Sequence, residues 1–157
     1  MAAASAPSIP SAIHLGDDDL PWIDAAPGTK LKVLLVRETE GLWIIRNRFE
    51  PGVTVQTHRH TGPVFGYTVA GAWKYAESPD VNRAGSFLYE PAGSVHTLTV
   101  PESNPGITDV WFQMYGSNLN LDAAGRVEAV IDGRLVLDFY LAACAAQGLP
   151  RPPVLVA

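Results

Sequence analysis

The chain has 157 residues, 47% of them apolar, a formal net charge of −5 and one cysteine. That length suits one domain with a sizeable core, and a lone cysteine excludes an intrachain disulfide or a thiolate cluster for zinc or iron–sulfur. No apolar run approaches the roughly 20 residues of a membrane span, and no cluster of Lys and Arg marks a surface for nucleic acid or anionic membrane.

Residues 1–29 read as an N-terminal arm. Its start, "MAAASAPSIPSAIHLGDDDLPW", is small and Pro-containing. It lacks the basic stretch and apolar core of a secretion signal, so a cytoplasmic protein is expected. Asp17, Asp18 and Asp19 read as a solvated turn, and Trp22 and Trp43 as residues that pack the arm or a subunit contact.

From residue 30 the chain becomes short runs rich in Val, Ile, Trp and Tyr, separated by Gly, Pro, Asn and Asp. This pattern predicts an all-β sandwich or barrel over 30–133. The spacing predicts strands at 32–37, 43–49, 53–60, 64–69, 72–77, 86–89, 95–100, 108–115 and 119–121. In 108–115, alternation sends Val110, Phe112 and Met114 to an apolar interior face and Trp111, Gln113 and Tyr115 to the other. Residues 134–157 form a C-terminal helix and an extended tail. The helix covers 134–146, with Leu135, Phe139, Leu141 and Ala142 among its apolar positions, Asp132 as N-cap and Gly148 ending it. Cys144 reads as a small buried apolar residue on it. The prolines of "LPRPPVLVA" keep the tail extended.

The chain has four histidines. His14 lies in the arm. His58 and His60 stand one residue apart on a predicted strand, so both imidazoles point to one face; Arg59 between them faces outward. His96 follows "EPAGSV", a turn that as a hairpin would return it beside the preceding strand. Three imidazoles meeting at one point suit zinc, iron, copper or nickel.

The wider spacing sharpens this. Gly52, five residues, His58-Arg59-His60, ten residues and Gly71 form one motif; Gly85, five residues, Pro91, Gly93 and His96 form the other. In these paired motifs the sequence resembles the cupin superfamily. The resemblance implies a single-domain jelly-roll β-barrel with an interior metal held by His58, His60 and His96. Two places depart from the common pattern: Val64 stands where a fourth ligand, Glu, is usual, and Val100 where a late Asn is usual. The presence of all three histidines favours a three-His site. Three imidazoles add no charge, so a divalent ion keeps +2 and favours a substrate that binds as an anion through two oxygens, such as an enolate.

The stretches "HRHTGPVFGYTVAGAWKYAES" and "AGSFLYEPAGSVHTLTVPE" are similar to the cupin branch that includes 2,4′-dihydroxyacetophenone dioxygenase and acetylacetone-cleaving dioxygenase. That resemblance implies Fe(II), with zinc, nickel or manganese suited to the same imidazoles. It implies O2 and a small enolisable ketone as reactants and C–C cleavage as the reaction. It also points to Glu90 and Tyr75 as polar groups of the site. On the residues alone Glu90 is a solvent-facing strand end, a distant fourth ligand, or a group beside the metal that deprotonates substrate or orients a histidine; the last is favoured. A homodimer or homotetramer is expected, because exposed sheet edges seek partners and cupins of this kind are commonly oligomeric. A second similarity, to the zinc-binding anti-sigma-factor cupin domain, implies the alternative of a non-catalytic zinc- or small-ligand-binding sensor module. The chain offers no appended DNA-binding or sigma-binding segment for that role.

Overall fold

The computed structural model describes residues 11–156; the start of the expected arm, residues 1–10, lies outside the described residues. The strands in chain order are β1 (Ile23–Ala26), β2 (Thr29–Arg37), β3 (Leu42–Phe49), β4 (His58–His60), β5 (Val64–Ala70), β6 (Ala72–Tyr75), β7 (Val81–Arg83), β8 (Phe87–Glu90), β9 (Val95–His96), β10 (Leu98–Thr99), β11 (Thr108–Tyr115), β12 (Asn118–Leu121), β13 (Val127–Ile131) and β14 (Leu155–Val156). One α-helix, α1 (Gly133–Ala146), precedes β14. None of the described helices is long and apolar enough to cross a membrane.

The ladders form three sheets: a large one ordered β1-β2-β3-β11-β5-β8 with β14 beside β2, a three-stranded one ordered β10-β6-β7, and a four-stranded one ordered β13-β12-β4-β9. Between these sheets the ladders are interrupted. The run at 53–60, read as one strand, pairs regularly only at His58–His60. Its first half meets 98–100 through a few separate bonds, Val55 N–H to Leu98 O and Val100 N–H to Val53 O, both 2.9 Å. This irregular seam joins the two smaller sheets without closing a ladder.

The core forms on the inner face of the large sheet. Strand β11 pairs with β3 and β5, and its Val110, Phe112 and Met114 are buried as alternation predicts. Trp43 also belongs to this core, 2% exposed, with its indole N–H donating to Gly116 O at 2.9 Å. It does not pack the arm, because its β3 neighbours on that face are the buried Ile45 and Phe49. Trp22 does lie with the N-terminal segment, its ring facing the cations of Lys32, Arg46 and Arg48 on the outer face. Beneath it the buried Asp109 accepts two bonds from Arg46 and one from Arg48. Elsewhere this face is open, with Tyr67, Phe87, Tyr89 and Trp111 exposed.

Asp132 caps α1 by accepting from Leu135 N–H at 2.8 Å, and Gly148 follows the helix at φ +71. The helix buries Leu137, Tyr140 and Cys144, spaced three and four apart, and leaves Leu135 and Phe139 exposed. Ile23–Ala26, within the segment read as arm, is an edge strand paired with β2.

Candidate metal centre

The alternation of β4 turns His58 and His60 inward and leaves Arg59 exposed. Strand β9 pairs with β4, placing His96 directly opposite His58. The turn before His96 is therefore not a hairpin within one sheet. Glu90 ends β8 in the large sheet, and Pro91–Gly93 carries the chain across to the four-stranded sheet. Gly93 sits at φ +86 in that turn and donates its N–H to His60 O at 2.7 Å. A side chain there would strain the left-handed backbone that makes the crossing.

The ring centroids of His58 lie 4.8 Å from those of His60 and His96, which are 5.0 Å apart. One nitrogen from each of the three lies within 4.8 Å of the others, and all three side chains are buried. His58 Nδ1 lies 2.8 Å from Gln56 O, which fixes the proton there and leaves Nε2 with a lone pair. Burial pushes the His58 pKa down to about 4.

Glu90, 3% exposed, sits beside this trio. Its Oε2 is 2.9 Å from His60 Nε2 and 3.1 Å from His96 Nε2. Burial alone would raise its pKa, but those two imidazoles outweigh it and bring it down to about 2. The Tyr75 hydroxyl donates to Glu90 Oε1, and the Tyr75 ring stacks on His96, 3.9 Å between centroids and 18° between planes. Burial, and then the Glu90 charge, pushes the Tyr75 hydroxyl far above its ordinary value, so it stays protonated and remains a donor. The five side chains singled out in the sequence thus meet at one place. His14 stays on the N-terminal segment, exposed.

This donor set fits a divalent metal ion. Glu90 Oε2 and His96 Nε2 are buried and close, yet neither makes an aligned hydrogen bond among the described residues. Buried polar atoms left in that state call for a further partner, and imidazole nitrogen beside carboxylate oxygen is an ordinary set for iron or zinc. A cavity of about 160 Å³ opens onto the site. Its walls are largely apolar, from Ile45, Phe49, Val64, Phe112 and Met114, with Thr29, Asn47 and Asn118 as further polar members. The sequence reading missed Asn118. Its signal was the Asn118-Leu119-Asn120 alternation, which mirrors His58-Arg59-His60. A larger hollow of about 460 Å³ lies against the outer face of the large sheet. Its Lys32, Arg46 and Asp17 are spent on one another, so it presents no converging donor set.

No curated protein matches the chain. Among solved structures, the chain is similar to a protein of unknown function with a cupin-like fold from Ralstonia eutropha JMP134, at 31% identity and a TM-score of 0.87, covering 97% of this chain and 96% of that one. It shares its fold with an acetylacetone dioxygenase from Acinetobacter johnsonii, at 17% identity and a TM-score of 0.72, covering 90% and 97%. It also shares its fold with a chain of the Rhodobacter sphaeroides SigE complex with the anti-sigma ChrR, at 16% identity and a TM-score of 0.53, covering 63% and 51%. The family model described as the ChrR cupin-like domain matches residues 11–108, and the chain belongs to that family.

Proposed function

We propose that this protein is a non-haem Fe(II)-dependent dioxygenase that uses O2 to cleave a C–C bond of a small enolisable ketone, of the 2-hydroxyacetophenone or β-diketone class. One observation carries the reading: three buried imidazoles converge beside a carboxylate at the end of a small, apolar-walled cavity. The fold shared with an acetylacetone dioxygenase supports it. His58, His60 and His96 would hold the ion, which when bound supplies a Lewis acid for a two-oxygen anionic ligand together with a place for O2. His58 is oriented by Gln56 O. Glu90 is held as a carboxylate beside two of these imidazoles. Its part is to hold negative charge at Oε2 beside His60 and His96, while Tyr75 fixes Oε1. The apolar walls exclude water from the reacting carbons.

The subunits are proposed to assemble as a homodimer or homotetramer. Tyr67, Phe87, Tyr89 and Trp111 are 51%, 67%, 55% and 38% exposed on one sheet face. At about 200 Å² per aromatic side chain they present on the order of 400 Å², half of the roughly 800 Å² that each partner buries in a standard interface.

The family model favours a second reading, a zinc- or small-ligand-binding module that senses without catalysing. Oxygen uptake separates the two. Metal-free protein reloaded with Fe(II) is offered 2-hydroxyacetophenone and pentane-2,4-dione in turn. Uptake that needs both iron and ketone and yields carboxylic acids supports the dioxygenase, and His96→Ala should then lose both metal and uptake. Zinc binding without iron binding moves the sensor reading to first place.

A further inference from the structure

We infer that Asn118 is a specificity-determining residue of the cavity, binding a hydroxyl of the substrate separate from the oxygens presented to the histidines; this rests on the ketone-cleaving reading above. Strand β12 runs antiparallel beside β4, with Asn118 opposite His60 and Asn120 opposite His58. Directly opposed residues of an antiparallel pair put their side chains on the same face, so Asn118 faces the side of the sheet that carries the imidazoles. It lines the same cavity as His58, His60 and Glu90.

The Asn118 Oδ1 is buried and has no hydrogen-bond partner among the described residues. Of the other polar groups around the cavity, Tyr75 donates to Glu90, His58 Nδ1 faces Gln56 O, and Asn47 Nδ2 donates to Lys30 O. Much of the remaining wall is apolar, including Met114 and Val64. An amide oxygen kept from water without a donor is destabilising, and no donor of the wall bonds to this one. A ligand carrying an O–H would. The enolate of a simple β-diketone has only acceptors, whereas a hydroxyketone with a further hydroxyl brings the missing donor. The cavity is therefore matched to the hydroxyketone class.

The test uses zinc-loaded protein, so that binding is read without turnover. Wild type, Asn118→Leu and Asn118→Ala are titrated calorimetrically with 2-hydroxyacetophenone and its 2′-, 3′- and 4′-hydroxylated derivatives, and the metal content of each protein is measured. The expected result is a wild-type preference of up to about tenfold for one hydroxylated derivative. Both variants should keep their zinc, bind the unsubstituted ketone within about threefold of wild type, and lose that preference. Asn118→Ala serves if Asn118→Leu fails to fold. A wild type without any preference, or variants that retain it, overturns the assignment. Oxygen uptake by the Fe(II) form is measured in parallel. Preference without uptake removes the dioxygenase reading and keeps Asn118, and uptake without preference does the reverse.

Discussion

Replacing Glu90 with glutamine removes a charge and keeps the volume. Glu90 Oε2 lies within 3.1 Å of the Nε2 atoms of both His60 and His96, so the carboxylate touches two of the three imidazoles that converge. Glutamine keeps one oxygen of similar shape but puts an amide on the other arm, where an N–H would face either Tyr75 or the imidazoles. A carboxylate that supports a metal site without coordinating the ion is worth about 10- to 100-fold in metal affinity, or ~1.4–2.7 kcal/mol. Contact with two ligands at once places Glu90→Gln near the upper end. The assay is competition for Zn(II) against a chromophoric chelator at pH 7, with a urea unfolding curve of the metal-free protein to establish that the fold is kept. Affinity unchanged within about threefold would refute the coupling of Glu90 to the site. A loss beyond about 10⁴-fold would show that the carboxylate itself coordinates the ion, and the role given to it here would be wrong.

Asp109→Ala leaves Arg46 and Arg48 without their shared buried partner; removing one member of a buried pair costs about 3–5 kcal/mol, read as a lower urea midpoint, and a loss below about 1 kcal/mol would refute the assignment. Asp17 is held below its ordinary value of 3.8, first by Lys32; its contribution is therefore complete above about pH 4 and lost as pH falls through the lowered pKa. With 57% of that side chain exposed, the effect stays below about 1 kcal/mol: Asp17→Asn should be slightly less stable than wild type at pH 6, and the two should converge as pH falls below that lowered pKa. Phe87→Glu places a charge on the exposed aromatic face at its edge strand and should convert an oligomer to monomer in size-exclusion chromatography with light scattering; an unchanged mass would move the interface elsewhere.

Residues 108–115 were legible because burial there follows period two, and the observed strand has those bounds. His58 and His60 were legible for the same reason. Which strands would neighbour one another was not. Nothing local to Pro91–Gly93 says that the chain leaves one sheet for another, so the pairing of β9 with β4 appears only in the fold. Asp109 shows the same limit: it is buried because Arg46 and Arg48 stand on the adjacent strand and the Trp22 segment covers them, a placement that no window of sequence holds. Strands β1, β7 and β14 are short, and β14 exists through parallel pairing with β2 at the far end of the chain. Trp43 was misplaced because a tryptophan near a chain end and one in a core look alike until the facing strand is known. Asn118 was passed over because an asparagine after a glycine and a serine reads as turn.

The site draws on all three sheets. Tyr75 comes from the three-stranded sheet, Glu90 from the large one, and His58, His60 and His96 from the four-stranded one. The hydrogen bond from Tyr75 to Glu90 and the stack of Tyr75 on His96 therefore act as a keystone among sheets that share no continuous ladder. Loading the keystone should be felt by the whole molecule. A ligand that binds only the folded chain adds about 2.7 kcal/mol of stability at a hundred times its dissociation constant, and here that gain would be distributed across every seam between the sheets. The melting temperature thus becomes a gauge of occupancy, and the resistance of the seam at 53–57 to proteolysis should rise in step with it.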